Sequence, residues 1–125
     1  NARAALISRG FAEMTRFGLA RGAQAETLAG LAGLGDLVLT CTSANSRNFA
    51  LGKGLGRGET AATLMADRHT VAEGAFSAPV VAAAARADDI DMPITDAVAR
   101  LVAGEAHVAD IIQALLSRPL RAEGR

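Results

Sequence analysis

Gly35-Asp36-Leu37-Val38-Leu39-Thr40-Cys41-Thr42 is the segment whose reading decides the fold. Leu37-Val38-Leu39 is the best strand candidate in the chain. Three apolar residues are too few for periodicity to separate a strand from a helical turn. The flanks fit a helix: Gly33-Leu34-Gly35 breaks what precedes, and Asp36 stands where an N-cap belongs. Its carboxylate is placed to accept from N–H groups that a helix start leaves unpaired. On that reading Leu37 to Thr42 is a short helix, and no convincing strand is left anywhere.

Working outward, every other segment also reads as helix. Arg3 to Ala20 carries Ala5, Leu6, Ala12, Met14 and Phe17 at helical spacing, with Arg9, Glu13 and Arg16 as a polar face. Glu13 follows Arg9 by four residues, so the two are expected to meet on that face. Gly22 is placed to close the helix. Ala25 to Leu31 is a second helix. Asn45 or Ser46 caps a fourth that runs to about Leu51, and Glu59 to Ala66 supplies a short fifth. Gly74 to Ala87 is Ala-rich, with Pro79 inside it. Pro93 suits the first position of the next helix, which Gly104 stops. Val108 to Ser117 closes the set, and the residues from Arg121 onward are expected to fray. The expectation is one all-α domain of six to eight helices, residues 1–125.

The 125 residues suffice for one core, and half of them are apolar. They are small ones, with four Phe and no Trp or Tyr, which implies closely approaching helices. Thirteen basic and thirteen acidic residues cancel. Neither a one-sided positive field nor stacking aromatics are there for nucleic acid. No apolar run approaches the ~18–20 residues that span a bilayer. The chain opens Asn1-Ala2-Arg3 without Met or an apolar leader, and so reads as the interior of a longer gene product. Cys41 is the only cysteine. No Cys/His set is present to hold a metal, and His69 and His107 read as surface residues. A reducing, cytoplasmic setting follows, with Cys41 as a small buried hydrophobe rather than a nucleophile.

Two groups of residues carry chemistry. Asp36 is either a plain N-cap or a carboxylate that orients an ammonium group. Ser46-Arg47-Asn48 opens a helix, where free N–H groups and the positive end of the dipole favour an anion. Arg adds a two-pronged donor that matches phosphate. The plain alternative is a capped helix with a solvated Arg. Gly52-Lys53-Gly54-Leu55-Gly56-Arg57-Gly58 is not a nucleotide loop, since the spacing and the preceding strand are wrong. It reads as a flexible connector whose Lys53 and Arg57 lie within reach of a cofactor phosphate. Glu73, in Val71-Ala72-Glu73-Gly74, reads as a first-turn residue facing a helix dipole.

Gly30-Leu31-Ala32-Gly33-Leu34-Gly35-Asp36-Leu37-Val38-Leu39-Thr40-Cys41, followed by Ser46-Arg47-Asn48, resembles bacterial NAD(P)-dependent glycerol-3-phosphate dehydrogenase. Asn1-Ala2-Arg3-Ala4-Ala5-Leu6, Val71-Ala72-Glu73-Gly74 and Asp91-Met92-Pro93-Ile94 extend the likeness, in order, over nearly the whole chain. The resemblance implies a helical C-terminal substrate domain of the 6-phosphogluconate dehydrogenase kind. It also implies a Rossmann domain upstream, which binds most of the NAD or NADP and is not in this chain. A catalytic lysine would lie just before Asn1, and Lys53 is not at that place.

Carried over by residue, Asp36, Ser46, Arg47 and Asn48 correspond to positions that bind glycerol 3-phosphate, with Thr40 a weaker match. Arg47, Val71 and Glu73 correspond to cofactor positions, and Asp36 would hold the upstream lysine. The implied reaction interconverts sn-glycerol 3-phosphate and dihydroxyacetone phosphate, for glycerophospholipid precursor synthesis. Phe49 and Ala50 stand where the family often has further arginines, and Arg3 where it often has lysine. Phe49 and Ala50 put a second phosphate contact in doubt, but not the first, and Arg3 reads as a solvated charge. The isolated fragment is expected to be inactive, and its apolar helical surface is compatible with a homodimer. Two other readings remain: a non-catalytic helical interaction module, and the helical domain of a related hydroxy-acid dehydrogenase.

Overall fold

The structure, a computed structural model, describes residues 2–43, 45–66 and 72–118. Among them every regular element is helical. In order these are α1 (Ala2–Ala20), α2 (Ala25–Ala29), a π-helical turn (Leu31–Gly35), α3 (Asp36–Thr42), α4 (Arg47–Gly56), α5 (Ala61–Leu64), α6 (Gly74–Ala87), α7 (Pro93–Val102) and α8 (Val108–Leu116). The all-α expectation holds, and Leu37-Val38-Leu39 is helix. No helix among the described residues is long and apolar enough to cross a membrane.

The core is as fine-grained as the composition implies. Ala97 of α7 with Ile111 and Leu115 of α8 form its centre, and Leu6, Ile94, Leu101 and Ala106 pack against it. Ala82 and Ala85 of α6 are buried and let that helix lie close along α7. Pro79 falls in the second turn of α6, where its missing N–H removes the ordinary donor to the Ala75 carbonyl. The helix nevertheless continues to Ala87.

Helix α1 departs from the expected polar face. Glu13 does not meet Arg9 in solvent; it is 2% exposed. Its carboxylate accepts from the Ile94 N–H at 2.6 Å, the Thr95 N–H at 3.0 Å and the Thr95 hydroxyl at 3.1 Å. These donors open α7, just after Pro93, which has none to give. Arg9 instead donates to the carbonyls of Leu115 and Arg118 at the end of α8. Helix α1 thus presents an acid to the positive end of one helix and a base to the negative end of another. Periodicity marks a polar face, but it cannot say whether water or a helix terminus receives it.

Four further expectations are corrected around the glycines. The second helix stops at Ala29, because Gly30 turns to extended backbone (φ −88°, ψ −162°). The predicted break at Gly33-Leu34-Gly35 is a π turn, in which the Gly35 N–H donates to the Gly30 carbonyl at 3.1 Å. A Cβ on Gly33 would lie 2.0 Å from the Leu28 carbonyl oxygen, so only glycine permits this path. Asp36 does not N-cap α3: its own backbone is helical (φ −63°, ψ −40°) and the turn runs straight into the helix. Finally, the supposed connector after Leu51 is the body of α4, with Gly54 buried beneath Leu64 of α5.

Helix α4 closes at Gly58 (φ 93°), where the Glu59 N–H donates to Gly54 and the Gly58 N–H to Leu55, at 3.1 and 3.0 Å. This double closure is a Schellman motif. Gly22 and Gly104 end α1 and α7 in the same way, as expected from their spacing. Helix α6 ends so too, but with Asp89 (φ 56°) in the left-handed position.

Candidate functional site

The starts of α4 and α6 meet, and most of the predicted site residues stand at that junction. Ser46 lies in extended backbone and its Oγ accepts from the Phe49 N–H at 3.3 Å, so Ser46, not Asn45, is the cap. The N–H groups of Arg47 and Asn48, first in α4, have no intrahelical acceptor, and the positive end of the dipole lies there. The Arg47 side chain is exposed and forms no hydrogen bond or ion pair among the described residues.

Asn48 reaches to the other segment. Its Oδ1 accepts from the Gly74 N–H at 3.0 Å, across 26 positions of sequence. Two residues earlier Ala72 is buried at 1% exposure, so Ala72-Glu73-Gly74 forms a strap held by burial at one end and by Asn48 at the other. Between them Glu73 is exposed. Its side chain makes no cap bond, while its carbonyl accepts from the Phe76 and Ser77 N–H groups at 3.0 and 2.9 Å. Val71 and His69 lie outside the described residues.

Asp36 and Thr40 stand one turn apart on α3 and so share a face. Helix α3 packs against α4. No hydrogen bond or ion pair joins the Asp36 side chain to Arg47 or to any other described residue. The structure therefore brings Ser46, Arg47, Asn48 and Glu73 to one junction, and carries Asp36 and Thr40 alongside by helix packing alone.

This arrangement suits an anion. An exposed guanidinium without a carboxylate partner among the described residues stands beside a capped helix start with free N–H groups. The other candidates fare less well. Arg57 is occupied by Glu59 at 3.1 Å. Cys41 is half-buried rather than buried, and desolvation pushes its thiol up more than the Arg3 charge lowers it. Its thiolate is thereby disfavoured. His107 is exposed at the start of α8. A groove of about 380 Å³ between α6, α7 and α8, edged by Arg86, Asp91 and Arg100, contains none of the predicted residues. Gly74 is the participant that residue chemistry alone passes over, because a backbone N–H leaves no mark in composition.

Over residues 1–113 the chain matches the family described as NAD-dependent glycerol-3-phosphate dehydrogenase C-terminus. The chain belongs to this family. Among curated relatives, glycerol-3-phosphate dehydrogenase [NAD(P)+] 1 of Sphingopyxis alaskensis is 87% identical over 100% of this chain and 38% of its own length. Glycerol-3-phosphate dehydrogenase [NAD(P)+] of Erythrobacter litoralis is 68% identical over 98% of this chain and 37% of its own. Among solved structures, the crystal structure of glycerol-3-phosphate dehydrogenase from Coxiella burnetii superposes with a TM-score of 0.90 at 43% identity. It covers 94% of this chain, which corresponds to 36% of that one. The chain thus spans well under half the length of these dehydrogenases.

Proposed function

We propose that the chain is the helical substrate-binding half of a cytoplasmic NAD(P)-dependent glycerol-3-phosphate dehydrogenase. A Rossmann domain would precede it and complete the site. The reaction is the interconversion of sn-glycerol 3-phosphate and dihydroxyacetone phosphate, which supplies glycerophospholipid precursors. One observation carries the reading: the Arg47 guanidinium, with no partner among the described residues, stands at a capped helix start that Asn48 clasps to the strap bearing Glu73.

In this reading Arg47, Asn48, Ser46 and the first N–H groups of α4 hold the substrate phosphate. That grip supplies binding energy away from the reacting carbon and fixes its position. Asp36 would hold a lysine ammonium contributed from upstream, and Thr40 would line the same face. Glu73 and Val71, with Arg47, would contact the dinucleotide. Bound nicotinamide supplies the hydride chemistry. This chain's residues supply anchoring and charge. Leu31, Leu39, Phe76 and Val80 are exposed apolar side chains on the site's own elements, which suits a surface covered by another domain. They also favour the second reading, a non-catalytic interaction module.

Kinetics of Arg47→Ala in the full-length enzyme separate the two. The expected outcome is weaker binding of glycerol 3-phosphate by ~2–4 kcal/mol, with partial recovery in Arg47→Lys. A wild-type KM for Arg47→Ala would remove this residue from the site and favour the module.

A further inference from the structure

Beyond the residues that would touch substrate, we infer that Gly74 is a positioning residue that sets which end of the Asn48 amide faces the ligand. The inference rests on the phosphate-grip reading above and deepens it. An amide side chain has an acceptor end and a donor end, and exposed amides turn freely between them. Here the choice is forced. The Gly74 backbone N–H can only donate, so the atom it meets at 3.0 Å is the oxygen, Oδ1. With Oδ1 occupied, the amine Nδ2 is the end left to bond a ligand. An anion accepts hydrogen bonds and gives none, so this orientation fits a phosphate and the reverse would not.

The glycine at position 74 is part of the device. A Cβ there would lie 2.9 Å from Oδ1 and 3.3 Å from the Asn48 amide carbon. Gly74 begins α6 at an ordinary helical backbone angle, so its conformation does not call for glycine. Helix propensity would favour Ala at that position. The close approach is to the movable amide of Asn48, so a side chain at position 74 would displace that amide. The clasp also fastens the phosphate segment to the strap bearing Glu73, so displacing one shifts the other.

A double-mutant cycle in the full-length enzyme tests this. Gly74→Ala should raise the KM for glycerol 3-phosphate roughly three- to tenfold, the effect of losing one ordered hydrogen bond, and should change kcat and the thermal midpoint far less. Asn48→Ala should raise KM as well. In the Asn48→Ala background, Gly74→Ala should add nothing, since both act through one contact. Asn48→Asp keeps an oxygen for the Gly74 N–H but replaces the amine with a second oxygen, and should bind the phosphate worse than Asn48→Ala. An unchanged KM in Gly74→Ala, or a full additional loss in the double variant, overturns the positioning role. Wild-type binding by Asn48→Asp overturns the amide orientation. If Arg47→Ala and Asn48→Ala both bind like wild type, the phosphate site itself fails. If they weaken binding and Gly74→Ala does not, only the clasp fails.

Discussion

Glu13 is a carboxylate with a structural task. Buried in α1, it caps α7 from outside that helix through two N–H groups and a hydroxyl. Burial pushes its pKa above the usual 4.5, and the bonds from Thr95 and Ile94 with the Arg16 charge only partly oppose this. The folded chain therefore holds the proton more tightly than the unfolded chain. The resulting stabilisation is complete below pH 4.5 and is lost as pH rises through the raised folded value. Denaturant melts across that interval should show stability falling with pH, and Glu13→Gln should flatten the slope. Glu13→Ala strips α7 of its cap and should cost about 2–3 kcal/mol. The sequence marks Glu13 as polar and well spaced. It gives no hint of burial, because the acceptor's partners lie some eighty positions away in α7.

At the scale of elements, helix ends decide more than helix bodies. Gly22, Gly58 and Gly104 close three helices in left-handed backbone without a Cβ penalty. Asp89 closes α6 in the same conformation at φ 56° and does carry that penalty. Asp89→Gly should stabilise the fold by up to about 1 kcal/mol, less the added entropy of an unfolded glycine. A rise in thermal midpoint checks this, and a fall would show that the Asp89 side chain matters more than its backbone. Helix positions were legible from periodicity, Gly22, Gly104 and Pro93. The long body of α4 was not, because Gly52, Gly54 and Gly56 oppose helix by propensity. What overrides propensity is packing that composition hides: Gly54 lets Leu64 of α5 settle onto α4.

At the scale of the molecule, the chain corresponds to about 36–38% of the relatives described above. The fragment alone is expected to show no dehydrogenase turnover, since the dinucleotide half and the lysine belong to the proposed upstream domain. Spectrophotometric assay with glycerol 3-phosphate and either dinucleotide checks this, and steady turnover would show the boundary to be misplaced. Leu31, at 91% exposure, is the most solvent-exposed large apolar residue among the described residues. Of the candidate site, the Ser46-Arg47-Asn48 group was legible because phosphate chemistry needs those residue types at a helix start. Its link to Glu73 was legible only as family order. The physical tie is a backbone amide, which no residue letter records.

The π turn at Leu31–Gly35 holds one residue more than an α-helical turn would, and it immediately precedes Asp36. Each residue of a helix advances the chain by roughly 100° about its axis. Deleting Ala32 would therefore swing the face that Asp36 and Thr40 share by about that angle relative to α4, against which α3 packs. A single codon in this turn thus acts as an azimuth setting for α3, able to re-aim the Asp36 and Thr40 face without altering either residue.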